Sequence, residues 1–187
     1  MRVVAGSARG LRLEAPAGHG TRPTTDRVRE ATFNALHSAG ALVGAEVLDA
    51  FAGSGALGIE ALSRGAARCT FVEADRAARA VVEANLATTR LAGRATVVGG
   101  DARLHLGATA ASYDLVLLDP PHAGTDWPAL LDDVASRLAP AGVVVAESDR
   151  PVVDATTGEG PWSVLREKRY GGTVVQMISA LTPESAP

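Results

Sequence analysis

Asp119-Pro-Pro-His122 closes an apolar run, Tyr113-Asp-Leu-Val-Leu-Leu118, whose composition is that of a buried strand. An acid, two prolines and a planar ring at a strand's end can grip the exocyclic amine of a nucleobase while a methyl group arrives. The amine lone pair of adenine, cytosine or guanine is delocalised into the ring, which makes it a poor nucleophile. Hydrogen bonds from its N–H groups to the Asp119 carboxylate and to a backbone carbonyl favour a more nucleophilic geometry as the new bond forms. Pro120 and Pro121 fix φ and bring no competing N–H, so the preceding carbonyls stay aimed at the substrate. The His122 ring would stack on the base. Taken alone, the same four residues also suit a strand-ending turn.

A second constellation lies upstream, in Val47-Leu-Asp-Ala-Phe-Ala-Gly-Ser-Gly-Ala-Leu-Gly58. Gly53, Gly55 and Gly58 satisfy the G-x-G-x-x-G fingerprint of dinucleotide sites, so a nicotinamide cofactor has to be weighed. A pyrophosphate needs backbone N–H groups and a helix N-terminus. Asp49, just before the loop, would repel that anion but attract the ammonium of a methionine moiety; it could also be a structural acid holding the loop's own amides. Glu73 closes the next strand and can accept both ribose hydroxyls, a device that nicotinamide enzymes share. Asp101 follows the third strand, where it could take an adenine amino group while the Ala102 N–H meets a ring nitrogen. It is equally placed to cap a helix. Clustered acids suit S-adenosylmethionine, whose sulfonium and ammonium are both cationic. Its expected contacts are Asp49, Ala52, Gly53, Ser54, Gly55, Glu73, Asp101, Ala102 and Asp119.

These residues need a scaffold that brings strand ends together. Val3–Ala5 and Leu11–Leu13 read as a hairpin joined through Gly6–Gly10, and a glycine-rich loop over 16–20 follows. Thr24 or Thr25 can cap a helix running to about Ser38. Strands are expected at 46–51, 69–72, 95–98, 115–118 and 143–146, alternating with helices at 56–64, 76–88, 101–108 and 127–138. Such alternation implies crossover units and a mostly parallel sheet with helices on both faces. Trp162–Tyr170 and Thr173–Leu181, separated only by Gly171-Gly172, must instead form an antiparallel hairpin. The fold class is therefore α/β: a seven-stranded Rossmann-like sheet of the class I methyltransferase kind, with a small N-terminal extension. Residues 1–40 form that extension and 41–187 the main domain. Trp127 and Trp162 are expected to pack on the sheet.

The chain has 187 residues, 47% of them hydrophobic and 21% charged, as in a soluble globular domain. No apolar run approaches a membrane span and no charged-then-apolar leader opens the chain, which points to the cytoplasm. The single cysteine, Cys69, excludes an internal disulfide and a cysteine-cluster zinc site, and is expected to be a core thiol. His19, His37 and His105 share no metal-ligand spacing, and no metal is expected. The net charge of −3 hides an asymmetry. Residues 1–40 hold six arginines (Arg2, Arg9, Arg12, Arg22, Arg27 and Arg29) against three acids, a net of +3. The remainder has twelve basic and eighteen acidic residues, a net of −6. A basic arm on an acidic body is the split expected when one part touches phosphate and the other a small cation.

At this point the chain resembles the RsmD-type bacterial 16S rRNA guanine-N2 methyltransferases over nearly its full length. The segments that carry the resemblance are Arg2-Val-Val-Ala-Gly6, Arg22-Pro-Thr-Thr-Asp-Arg-Val-Arg-Glu30 with Phe33-Asn34, Leu48 through Gly65, and Asp119-Pro-Pro121. The resemblance implies methyl transfer from S-adenosylmethionine to the N2 amine of one guanine in small-subunit rRNA. The substrate would be the 30S particle or a precursor, and the enzyme a monomer. It also places Arg22–Glu30 near the methionine end of the cofactor and the RNA entrance, with Thr24 among the cofactor contacts. One position departs: the family has Tyr or Phe where this chain has His122. The Asp-Pro-Pro chemistry alone would equally serve an adenine-N6 or DNA amino-methyltransferase. A nicotinamide-dependent oxidoreductase and a catalytically silent RNA-binding protein remain the rivals from other classes.

Overall fold

The computed structural model describes residues 1–16, 25–121, 124–154 and 160–181. Its centre is a seven-stranded sheet in the order β3-β2-β1-β4-β5-β7-β6. The strands are β1 (Glu46–Asp49), β2 (Arg68–Glu73), β3 (Ala95–Gly99), β4 (Tyr113–Leu118), β5 (Leu138–Ser148), β6 (Trp162–Tyr170) and β7 (Thr173–Ala180). The first five run parallel. β7 inserts antiparallel between β5 and β6, as the two-glycine link demands.

Five helices cover the sheet: α1 (Asp26–Ser38), α2 (Ala56–Ser63), α3 (Arg76–Thr89), α4 (Ala102–Ala108) and α5 (Trp127–Ala135). Side chains alternate faces along each strand. Val47, Leu115, Leu117, Val143, Val145, Val175 and Met177 join α1, α2 and α3 in one apolar cluster. Leu48, Val116, Leu118, Val144, Ala146 and Ile178 join α4 and α5 in the other, with Trp127 and Trp162 buried among them. Both faces are covered, which is why these strands read as continuous apolar runs. Four helices start on side-chain caps: Thr25 accepts from the Val28 amide, Asp75 from Ala78, Asp101 from Arg103 and Leu104, and Asp126 from Ala129.

One expectation about element bounds needs correction. The helix expected over 127–138 stops at Ala135, and Leu138 belongs to β5, opposite Tyr113. Pro140 cannot continue a helix; instead Ala141 takes φ 61° and β5 is irregular before it settles into register at Val143. The first forty residues pack on the main domain. Val3, Ala8, Leu13, Val28, Phe33 and Leu36 are buried in the same cluster as Ile59, Leu62 and Phe71. No helix among the described residues is long and apolar enough to cross a membrane.

Candidate active site and nucleic-acid interface

The parallel register brings the acids to one edge of the sheet. Asp49 ends β1, Glu73 ends β2, and Asp101 follows β3 by two residues. Asp49 lies opposite Leu117 of β4, so Asp119 emerges two residues further along the neighbouring strand at the same edge. Asp119 is half-buried, Pro120 is buried and Pro121 exposed. The Pro121 carbonyl accepts from the Thr125 hydroxyl at 2.8 Å, which closes the loop into the cap of α5. His122 lies outside the described residues, as do Arg22, Thr24 and His19.

The glycine loop discriminates between cofactors. Gly53 and Gly55 have φ of 55° and 77°, the left-handed region in which other residues are strained. Gly55 begins α2 without a side-chain cap, and Asp49 supplies one from the strand: its Oδ2 accepts from the Gly58 amide at 2.9 Å. Gly58 is glycine for packing, since a Cβ there would stand 2.3 Å from the Phe71 ring. The Ala52 amide donates to the Val72 carbonyl, Gly53 to Glu73 Oε2, and Gly55 to the Ala52 carbonyl. A pyrophosphate would therefore find the amides of 52, 53, 55 and 58 already engaged. The loop presents carboxylates rather than donors, which favours a cationic ligand over a dinucleotide.

Asp49 thus takes the structural role that its position allowed, as an acceptor for the Gly58 amide. Burial pushes its carboxyl up to about 7, with the Gly58 amide opposing and the nearby Glu73 charge adding to the rise. Between pH 4 and 7 the native carboxyl holds a proton that the unfolded chain has released. Stability is therefore fully present below the unfolded value and falls as pH rises towards 7, by roughly 4 kcal/mol if Asp49 acted alone. Asp49→Asn keeps an acceptor for the Gly58 amide and removes the titration. Chemical denaturation between pH 4 and 8 should show a flatter pH dependence in this variant; an unchanged slope would remove Asp49 as its source.

Glu73 and Asp101 also have partners. Glu73 Oε1 accepts from the Asp75 amide at 2.8 Å and Oε2 from Gly53, so the side chain pins the loop to the end of β2. Asp101 caps α4 through Oδ1 alone and is exposed. Each carboxylate oxygen has a second lone pair, so neither contact precludes a ligand hydroxyl or amine. Cys69 is buried and its thiol is pushed well up, mainly by burial, as befits a core residue.

The basic arm is a hairpin welded to α2. Arg2 pairs with Arg12, and Val3 and Leu11 are joined through the backbone. Glu60, fully buried on α2, accepts from the Val4 amide at 2.8 Å and the Ala5 amide at 3.0 Å. Ser63 Oγ accepts from the Ala8 amide and donates to the Ala5 carbonyl. Gly6 has no alternative there: its Cβ would fall 1.9 Å from the Ser63 carbonyl oxygen. On the other side, buried Asn85 of α3 accepts from the Glu14 amide and donates to both the Glu14 and Ser54 carbonyls. One side chain therefore ties the arm to the glycine loop.

Arg29 corrects the expectation for the arginines. It is only 1% exposed, bonding to the Arg2 carbonyl at 2.5 Å and Asp26 at 2.8 Å, with Glu60 3.6 Å away. Sealed by two acids, it holds α1 to the arm and is not presented to RNA. Arg2, Arg9, Arg12 and Arg27 are exposed. Arg2, Arg9 and Arg27 line an open groove of about 330 Å³ together with Asp26 and Glu30. Arg2 and Arg12 line a neighbouring one of about 450 Å³. Phe33 and Asn34 are structural as well: Arg64 stacks over the Phe33 ring and donates to Asn34 Oδ1. Glu60, Ser63 and Asn85 escaped the sequence reading.

A parallel sheet ordered 3-2-1-4-5-7-6, with the last strand antiparallel and an acid ending each of the first two strands, is the class I methyltransferase fold. The comparisons carry this to a family. The model for "Conserved hypothetical protein 95" matches residues 1–179. Ribosomal RNA small subunit methyltransferase D of Escherichia coli K12 is 42% identical, covering 91% of this chain and 85% of its own length. YlbH of Bacillus subtilis is 43% identical over 94% of this chain and 96% of its own. The solved structure of yhhF from Escherichia coli superimposes with a TM-score of 0.82 at 39% identity, covering 96% of this chain and 97% of that one. The chain belongs to this family, the RsmD-type methyltransferases.

Proposed function

We propose that this chain transfers a methyl group from S-adenosylmethionine to the exocyclic N2 amine of a guanine in 16S rRNA. It would act in the cytoplasm, as a monomer, on the 30S particle or an assembly intermediate. The observation that carries the reading is the row of carboxylates at the ends of adjacent strands, beside Asp119-Pro-Pro121 just after β4. The family relationship, and the small-subunit rRNA in the relatives' names, supply the substrate class.

S-adenosylmethionine supplies an electrophilic methyl group on a sulfonium, with a good leaving group already built in. Asp49 provides the negative end of the pocket for the methionine ammonium, Glu73 accepts from the ribose, and Asp101 with the Ala102 amide meets the adenine. Ala52, Gly53, Ser54 and Gly55 shape the loop around them, and Thr24 adds a contact at the methionine end. Asp119 accepts a hydrogen bond from the guanine amine, and the carbonyls of Asp119 and Pro120 complete the clamp. Asp119 would hold the amine towards the methyl group of bound S-adenosylmethionine and would take up the surplus amine proton, directly or through water. Catalysis then rests on placement and fixed electrostatics. His122 stacks on the base, which must leave its own stack to enter the pocket. Arg2, Arg9, Arg12, Arg22 and Arg27 contact phosphates, so residues 1–40 act as the RNA-facing extension and 41–187 as the catalytic part.

The test is nucleoside mass spectrometry of 16S rRNA from a strain lacking this chain. One N2-methylguanosine should disappear and return on complementation. Loss of an N6-methyladenosine instead would move the assignment to adenine; no change in any methylated nucleoside would overturn it.

A further inference from the structure

The C-terminal hairpin carries positive charge that the arm does not account for. β6 reads Trp-Ser-Val-Leu-Arg-Glu-Lys-Arg-Tyr and lies at the outer edge of the sheet. Its register shifts between Val164 and Arg166, after which Arg166, Lys168 and Tyr170 share one face. With Val175 and Met177 of β7 they border a shallow groove whose far wall is Ala31, Thr32 and Ala35 of α1. Arg166 and Lys168 are exposed, and neither forms an ion pair among the described residues. Of the neighbouring acids, Glu167 lies on the opposite face, bonded to Gln176 and paired with Arg169, while buried Glu147 of β5 shares the face of Lys168, in register with Val175.

Helix α1 borders both this groove and the one on the arm. Arg27, Ala31 and Ala35 are spaced i, i+4, i+8, so they form a single stripe along α1 spanning about 12 Å. Arg27 lies in the groove with Arg2 and Arg9, whereas Ala31 and Ala35 lie in the one with Arg166 and Lys168. Two acids of α1, Asp26 and Glu30, line the arm groove, and among the described residues no acid lines the one beside β6. β6 and β5 are both antiparallel to β7, so they run the same way. The Tyr170 end of β6 therefore lies at the sheet edge from which Asp119 emerges.

We propose that Arg166 and Lys168 form a second phosphate-binding surface, and that the RNA strand crosses α1 from the arm to the edge of β6. This rests on the rRNA reading above and extends it to a part of the chain with no assigned role. The competing account is that charges on an edge strand merely block pairing with another chain. That role would leave RNA affinity untouched.

The experiment uses full-length 16S rRNA and small-subunit particles from a strain lacking the enzyme. RNA binding is read by anisotropy over a range of salt, and methyl transfer by tritium from labelled S-adenosylmethionine. R166A/K168A should raise the RNA KM roughly tenfold and reduce the slope of log K against log salt by about 1.4, the single-strand value for two lost contacts. R166E/K168E should exceed that loss. S-adenosylhomocysteine affinity and Tm should stay at wild-type values in both, and R169A, on the opposite face, should match wild type throughout. R166Q/K168Q gives the same reading if a charge-reversed protein misfolds. A KM and salt slope within twofold of wild type for the double variants would overturn the surface. Wild-type protein that binds RNA but transfers no tritium would instead sink the methyl-transfer reading, leaving the salt slopes to judge the surface.

Discussion

Asp119→Ala should lower methyl transfer by at least about 10³-fold while S-adenosylhomocysteine binds within a few-fold of wild type. The amine it would grip is neutral in the ground state and gains positive charge as the methyl carbon bonds to nitrogen. A carboxylate beside it interacts more strongly with the transition state than with bound substrate, so its loss falls on kcat rather than on KM. Asp119→Asn is the sharper variant. It preserves shape and one acceptor oxygen but turns an NH2 group, or a flipped amide, towards an amine that can only donate from its N–H side. It should be nearly as inactive as the alanine variant. Single-turnover rates with saturating cofactor, alongside calorimetry with S-adenosylhomocysteine, separate the two effects. Parallel losses in both would make Asp119 a cofactor ligand and return the clamp to Pro120 and its neighbours.

The elements that place this carboxylate were legible because they obey simple periods. Val47/Leu48, Leu115/Val116 and Val143/Val144 alternate between the two apolar clusters, and the intervening helices other than α2 keep one apolar stripe each. The Gly171-Gly172 link left only a hairpin. What stayed hidden were polar residues whose type suggests the surface. Arg29 was counted as charge available to RNA, because sequence alone does not show that Asp26 and Glu60 seal it. A signal for Glu60 existed: residues 56–62 are otherwise apolar on every side, and a helix of that kind is buried all round, so its one acid must be paired. Asn85 gave a similar sign, standing on the stripe of Ala78, Val82, Leu86 and Thr89 that α3 buries. Pro140 and Gly142 concealed half of β5, because a bulged strand and a turn use the same residues. The acids do gather at one edge of the sheet. A hold on the loop's own amides was open to Asp49 from sequence, but the particular donors, Gly58 for Asp49 and Gly53 and Asp75 for Glu73, were not legible, since spacing cannot say which backbone donors a carboxylate will meet.

Glu60→Ala should cost about 3–5 kcal/mol of stability and release the arm. The carboxylate is fully buried and accepts from two arm amides and from Arg64 Nε at 2.6 Å, with Arg29 Nε at 3.6 Å. Removing it strands two buried N–H groups and leaves the Arg29 guanidinium with Asp26 as its acidic partner. Buried amides cannot stay unpaired at that cost, so the hairpin has one cheap response, which is to lift into water. That would expose Arg2, Arg9 and Arg12 to trypsin and disperse the charges that the arm holds beside α1. Glu60→Gln tests the electrostatics separately. It fills the same volume, yet its NH2 group must face a donor, since all four neighbours are donors, so it should fall between wild type and alanine. The expected signature is an early tryptic cut within residues 1–12 and a raised RNA KM, with S-adenosylhomocysteine binding reduced less because Asp49 and Glu73 hold the glycine loop independently. A loss below about 1 kcal/mol with the arm still protected would mean that Ser63 and Asn85 suffice to hold it, and that the buried ion cluster serves only α1.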